Sequence, residues 1–465
     1  MNPKIFKAYD IRGIYPNDIN EDNIIYITKA IYTFLTRTLN KHSLTIVLGR
    51  DMRLSSPSLM AQAKIVLINL GAQVIDVGLV STPTLYFAVK HLECDAGIQI
   101  SASHNPKEYN GIKYLYKKAY GQLVKVAKNT GMDQVKEYAL SQDFTQDISG
   151  GSSIEKDVSE EEIDYAISTV SPSQIKTFKV VADPANAMGI IFLEKLFARY
   201  PQIKLVKMNF QLDGSFPSHE ANPLKFELLK PLQEKIISEK ADFGIATDGD
   251  ADRVFFLDEN GEVIPATMIT SLIAREILRK KKGEKILVDV RYVRNAQKVI
   301  EDEGGKMEMN VVGHSLITEH LNRVRGAFAG ESSGHFFFRE TGGAESTVRV
   351  ILYMLNILSR ENKPLSEIVK TVHSSFESGE TNYALPPGLS AKKVFDDFAS
   401  KYKDANIILI DGVTIEYPDW RFNLRASNTE PLIRLNLEAK SEDLMKIKLQ
   451  EVKDIIFSYP GVTAS

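Results

Sequence analysis

Three stretches of this chain share one pattern, and it narrows the fold more than any other feature. Leu44-Thr-Ile-Val-Leu48, Phe178-Lys-Val-Val-Ala182 and Lys285-Ile-Leu-Val288 each read as a short buried strand that runs into a polar turn and then a helical pattern. The helices are expected from about Ser56 to Asn69, up to about Tyr200 and up to about Glu303. A second extended run follows each: Gln73-Val-Ile-Asp-Val77, Lys204-Leu-Val-Lys207 and Met307-Glu-Met-Asn-Val-Val312. Another helix and a third strand come next. Strands separated by helices line up in parallel, so the pattern predicts three similar α/β units with mixed, largely parallel sheets.

The third strands end in polar loops: Gly97-Ile-Gln-Ile-Ser-Ala-Ser-His-Asn-Pro106, Asp242-Phe-Gly-Ile-Ala-Thr-Asp-Gly-Asp-Ala-Asp252, and Gly326-Ala-Phe-Ala-Gly-Glu-Ser-Ser-Gly-His335. Open α/β sheets carry their chemistry at the carboxyl ends of parallel strands, so the three loops are expected to face one central cleft. After about Lys370 the style changes. Asn406-Ile-Ile-Leu-Ile410, Val413-Thr-Ile-Glu416, Trp420-Arg-Phe-Asn-Leu424 and Leu432-Ile-Arg-Leu-Asn-Leu437 read as antiparallel strands, closed by an amphipathic helix over about Glu442 to Ser458, a C-terminal α+β domain. At roughly 150 residues per domain, 465 residues suit this count. The expected domains are 1–152, 153–257, 258–370 and 371–465, with Gly150-Gly-Ser-Ser-Ile-Glu-Lys-Asp157 as a linker or exposed turn.

Composition removes several functional classes. A formal charge of −3 and a pI near 6.3 give no sign of a nucleic-acid or membrane partner. Cys94 is the only cysteine, which excludes an intrachain disulfide framework and a thiolate metal cage. The N-terminus lacks a charged-then-apolar signal pattern, and no apolar run approaches a membrane span. A cytoplasmic protein acting on small molecules, monomeric or weakly self-associating, is the expectation.

The loops then suggest a chemistry. Ser101-Ala-Ser-His-Asn-Pro106 offers two hydroxyls, an imidazole and an amide, with Lys113 shortly after. Asp248-Gly-Asp-Ala-Asp252 sets three carboxylates at alternate positions, and such crowding of like charge calls for a cation. Hard oxygen donors point to Mg²⁺. A calcium loop fails, because Arg253 stands where that loop needs glycine and strand-like runs flank the segment. Arg425-Ala-Ser-Asn-Thr-Glu-Pro431, with Arg425, Ser427, Asn428 and Thr429, offers the donor-rich set that suits a phosphate dianion. Glu331-Ser-Ser-Gly-His335 suits vicinal sugar hydroxyls. Together these loops equip the chain for phosphoryl transfer to and from a sugar phosphate. No Gly-x-x-x-x-Gly-Lys loop is present, so a nucleoside triphosphate is not the expected donor.

With these loops, and with Tyr9-Asp-Ile-Arg-Gly13 near the start, the whole chain resembles the α-D-phosphohexomutase superfamily, most closely its phosphomannomutase/phosphoglucomutase branch. The resemblance implies that Ser103 is carried as a phosphoserine whose phosphate joins Asp248, Asp250 and Asp252 around Mg²⁺. The phosphoryl group would pass to a hexose 1-phosphate, giving a hexose 1,6-bisphosphate that turns and returns its other phosphate. Arg12, His104, Lys113 and Arg253 would neutralise charge, with His104 or Lys113 moving the proton. Glu331 and Ser333 would bind the 3- and 4-hydroxyls, and His314 and Arg291 would add positive charge in the third domain. Arg425, Ser427 and Thr429 would hold the phosphate that is not reacting. Mannose and glucose differ only at carbon 2, so dual specificity is expected. Two departures bear on substrate preference: Thr318 stands where relatives usually have lysine, and Glu340-Thr-Gly-Gly-Ala-Glu345 replaces an Asp-Gly helix start. The alternatives are a phosphoglucosamine mutase and a non-catalytic sugar-phosphate binding protein; Ser103, the three aspartates and Lys113 argue against the second.

Overall fold

The computed structural model describes residues 1–146, 150–427 and 431–464. Four sheets follow one another along the chain. In the first, Thr45–Arg50 lies parallel to Gln73–Leu79 on one side and Ala96–Ile100 on the other. In the second, Lys179–Asp183 is parallel to Lys204–Lys207 and Phe243–Thr247. In the third, Lys285–Asp289 is parallel to Lys306–Asn310 and Phe328–Gly330.

Each parallel set is extended by an antiparallel return strand: Tyr109–Lys117 on Ala96–Ile100, Val254–Leu257 on Phe243–Thr247, and Phe336–Phe338 on Phe328–Gly330. Every one of the three polar loops is therefore the connection between the last parallel strand and its return partner. The fourth sheet is antiparallel, built on Val413–Glu416, Trp420–Ala426 and Leu432–Ala439, with Glu442–Phe457 as its closing helix. Trp420 is buried and stacks on Tyr417, a packing role.

Two expectations need correction. Ser152–Glu155 is not linker but an edge strand, parallel to Gln73–Leu79, so the first sheet runs past 152. Its residues are mostly exposed, Ile154 included, and its backbone is paired on one side only, which is why the sequence hides it. Val263–Ile264 pairs with Val254–Leu257 through a turn closed by Asp258, whose Oδ1 accepts from Asn260 N and Glu262 N, so the second sheet runs past 257.

The first and fourth units keep apolar cores of their own, whereas the cores of the second and third units merge. The helix Thr347–Glu361 makes that join. Its residues from Thr347 to Ser359 are all buried, and it packs against Ser159–Val170 and Ala266–Lys280. A helix buried on every face over most of its length lies inside a core, and its polar members Arg349 and Asn356 are hydrogen-bonded there. Among the described residues, no helix is long and apolar enough to cross a membrane.

Candidate active site

The first loop leaves Ile100 at the end of a fully buried strand. Ser103 sits in the left-handed region with φ 51°, and its N–H donates to Ser101 Oγ at 3.0 Å. Such a conformation at a non-glycine residue persists only where neighbours enforce it. Arg53 is the enforcer. Fully buried and paired with Asp51 at 3.2 Å, it donates through one nitrogen to Pro106 O and Tyr109 O, at 2.7 and 2.9 Å. Its other terminal nitrogen donates to Ser103 O and Asn105 O, at 2.8 and 2.5 Å. The Ser103 hydroxyl lies 3.2 Å from His104 Nδ1 and 3.2 Å from Asp248 Oδ2. Burial, followed by the charges of Arg253 and Arg12, pushes His104 well below the usual imidazole range, so the ring is neutral. Arg12 reaches Asn105 and Asp10.

The second loop meets the first directly. Asp248, Asp250 and Asp252 are buried with carboxylate oxygens within 4.8 Å of one another. Gly249 approaches so closely that a Cβ there would lie 2.3 Å from Ser103 O. Ala251, like Ser103, is held at positive φ, 60°. Thr82 donates its N–H to Asp250 O and its hydroxyl to Asp250 Oδ2, at 3.0 and 2.6 Å, tying the loop to the first unit. Lys113, opposite Gln99 in the ladder, places Nζ 2.5 Å from Asp250 Oδ2 and 2.7 Å from Asp252 Oδ2. Burial lowers its pKa, but the two carboxylates outweigh burial and keep it charged. Asp248 is pushed well above the carboxylate range by burial and then by Asp252 and Asp250.

Asp250 Oδ1 and Asp252 Oδ1 have no hydrogen-bond partner among the described residues. Buried, unpaired, hard oxygens beside a hydroxyl are the donor set that Mg²⁺ takes, and Asp248, Asp250 and Asp252 would hold it. A second cluster of Asp252, His335 and Glu345 has similar spacing but not the right chemistry. Arg253 Nε can only donate, and it donates to His335 Nε2 at 2.9 Å, so Nδ1 keeps its proton and cannot ligate a metal.

The third loop supplies a carboxylate held for hydrogen bonding. Glu331 is buried, and its Oε1 accepts from Gly313 N at 3.0 Å and lies 3.5 Å from Arg291. Asp289 grips Arg291 in a fork at 3.0 and 3.1 Å and also accepts from Ser332. His314 opens the helix His314–Val324 with its ring 5.5 Å from that of Tyr9 and 6.3 Å from that of His335. Burial pushes both histidines well below the imidazole range.

In the fourth unit Arg425 and Arg434 share Glu380, at 2.8 and 2.9 Å, and Arg434 lies 3.4 Å from Ser427 Oγ. Asn428 and Thr429 lie outside the described residues. A cavity of about 820 Å³ joins the parts: His104 and Arg253 from the first two loops, Glu331, Ser333, Arg291 and His314 from the third unit, and Arg425 and Ser427 from the fourth all line it. Ser103, Lys113 and the aspartates do not line the open space; they form a buried floor behind His104 and Arg253. Arg53, Thr82, Glu380 and Arg434 were not expected from sequence. For Thr82 a signal existed, since it closely follows a strand of the sheet that carries Ser103.

The chain matches known proteins over nearly its whole length. Phosphoglucomutase/phosphomannomutase alpha/beta/alpha domains I, II and III match residues 3–133, 160–261 and 266–376, and the C-terminal domain of the same family matches 384–454. A phosphomannomutase of Vibrio cholerae is 33% identical over 97% of this chain and 98% of its own length. One from Methanocaldococcus jannaschii is 34% identical over 97% of each chain. The crystal structure of a phosphoglucomutase/phosphomannomutase family protein from Burkholderia thailandensis superposes with a TM-score of 0.88 at 28% identity, covering 100% of this chain and 99% of that one.

Proposed function

Because this chain belongs to the phosphoglucomutase/phosphomannomutase family of the α-D-phosphohexomutase superfamily, we propose that it is a hexose-phosphate mutase that moves a phosphoryl group between the 1- and 6-positions of mannose or glucose phosphate through Ser103. One observation carries the reading. The Ser103 hydroxyl stands 3.2 Å from Asp248 Oδ2, beside His104, and His104 lines the same cavity as Arg425 and Arg434. That arrangement supports a reacting group and an anchoring group serving one sugar bisphosphate.

Phosphorylated Ser103 is the donor. The free hydroxyl of a hexose 1-phosphate attacks its phosphorus, the bond to Ser103 Oγ breaks, and a hexose 1,6-bisphosphate forms. After that intermediate turns around, Ser103 takes back the other phosphoryl group and the 6-phosphate remains. Mg²⁺, held by Asp248, Asp250 and Asp252, supplies neutralisation of the charge that builds up on the phosphoryl oxygens. His104, a neutral ring within 3.2 Å of Ser103 Oγ, moves the proton there. Lys113 is committed to Asp250 and Asp252 and serves as a fixed positive charge. Glu331 and Ser333 bind the 3- and 4-hydroxyls in either orientation, and Arg425 with Ser427 anchors the idle phosphate.

The test is a coupled assay on mannose 1-phosphate, glucose 1-phosphate and glucosamine 1-phosphate, primed with glucose 1,6-bisphosphate. Activity on the first two is expected, lost with EDTA, restored by Mg²⁺ and absent in Ser103→Ala. Full activity in Ser103→Ala, or a phosphopeptide map of active enzyme lacking Ser103, would overturn it.

A further inference from the structure

The strand Leu123–Lys125 belongs to the first sheet but is wedged into the third unit. Leu123 N donates to Gly342 O at 3.0 Å, and Asn322 Nδ2 donates to Leu123 O and Gly342 O at 3.1 and 2.9 Å. A Cβ on Gly342 would lie 2.5 Å from Gly121 O, so the two backbones pack without room for a side chain. The segment it enters includes Glu340 to Glu345, one of the two places where the sequence is expected to depart from the pattern of the relatives.

This strand delivers a charge. Lys125 forms an ion pair with Glu345 in which the two side chains are only 3% and 1% exposed. Its Nζ lies 4.8 Å from the Tyr86 ring and 5.0 Å from the Phe337 ring, so aromatic faces replace water around the ammonium. Thr318, on a helix lying against this strand, gives its hydroxyl to His314 O and adds no charge. With one carboxylate oxygen on Lys125, Glu345 presents the other, Oε1, to His335 Nδ1 at 3.6 Å. Asp252 Oδ1 lies 3.6 Å from the same nitrogen. None of these three atoms has a hydrogen-bond partner among the described residues.

His335 Nδ1–H therefore faces two buried carboxylate oxygens, each 3.6 Å away, and the ring stands where their attractions balance. On its other side the ring accepts from Arg253 Nε, whose own NH1 is buried and has no partner among the described residues. Lys125 sets Glu345, Glu345 sets His335, and His335 sets a guanidinium that keeps a donor free beside His104.

We propose that Lys125 and Glu345 are positioning residues, an interdomain strut that holds His335 and through it aims Arg253 at the phosphoryl group on Ser103. The proposal rests on the phosphoryl-transfer reading above.

The experiment compares Lys125→Met, Glu345→Gln, the double variant and Lys125→Arg as full-length enzyme with Mg²⁺. Steady-state kinetics on both hexose 1-phosphates are measured with Tm, and with the imidazole ¹⁵N shifts of His335 in histidine-labelled protein. The single neutral variants should lower kcat about 10- to 100-fold, with KM nearly unchanged. The double variant leaves no buried charge unpaired, so it should regain the lost Tm but not the lost kcat. Lys125→Arg should recover most of the activity. The His335 nitrogens, one protonated and one not in the wild type, should lose that fixed pattern when Glu345 is neutral. Recovery of kcat together with Tm in the double variant would make the pair structural only and overturn the proposal. So would unchanged His335 shifts in Glu345→Gln. If the wild type turns over neither sugar phosphate, the phosphoryl-transfer reading fails, and the ¹⁵N shifts still decide the strut.

Discussion

Arg53 and Gly249 hold the buried floor in place, one by filling space with donors and the other by leaving space empty. Arg53→Met would strand Asp51 and four carbonyls, at Ser103, Asn105, Pro106 and Tyr109, in the interior. A loss of about 3 kcal/mol in urea unfolding is expected, together with loss of activity. Arg53→Lys should recover little of either, because an ammonium cannot reach carbonyls on both sides of a fork. Gly249→Ala should act differently. Its new methyl group would push against Ser103 O, a backbone atom that Arg53 holds, so kcat should fall about 100-fold and Tm should fall by overpacking, with no buried charge left unpaired. Ser103 and the three aspartates were legible from sequence because their chemistry is local: a strand, a break, then reactive side chains. Arg53 was not. Its role depends on which strand lies beside Ala96–Ile100, a pairing across some fifty residues that a single sequence does not display.

Elements were read best where burial imposes a rhythm. Ser56–Asn69 buries Leu59, Met60, Ala63, Val66 and Leu67 at helical spacing and falls where the apolar pattern puts it, and the exposed edge strand Ser152–Glu155 does not. Contacts between elements were beyond reach, and one of these carries a pH effect. Glu162, on the helix Ser159–Val170, is buried against the helix Thr82–His91 and accepts from Thr84 Oγ1 at 2.7 Å. Burial pushes its carboxyl up to about 7, although Thr84 opposes the shift. In the unfolded chain the same group titrates near about 4.3. The folded state thus binds the proton more tightly, and its advantage is complete below the unfolded value and lost as pH rises to about 7. Glu162→Gln keeps an acceptor for Thr84 and has no charge to bury. It should raise Tm relative to the parent at pH 8, with the difference shrinking toward pH 4, measured by calorimetry across that range.

At the scale of the molecule, the floor draws on the first two units, the cavity wall on the third and the anchoring end on the fourth. Mg²⁺ is expected to bind the folded chain and not the unfolded one, so Tm should rise with Mg²⁺ concentration even without substrate. Asp250→Ala should abolish that rise. The expected four-part organisation was readable from the threefold strand pattern and the change of style after Lys370. The merging of the second and third cores was not, because the helix Thr347–Glu361 looks in sequence like any strongly apolar helix.

The grip of Arg53 on the Ser103 turn also has a directional consequence. In a trans peptide the N–H points opposite to the C=O of the same plane. The carbonyls of Ser103 and Pro106 are drawn to Arg53, so the amide hydrogens of His104 and Lys107 are turned the other way, away from that guanidinium. One buried cation thereby fixes the sense of two peptide planes in the turn: the oxygens of Ser103 and Pro106 point at the guanidinium, and the positive ends of the same two dipoles point away from it.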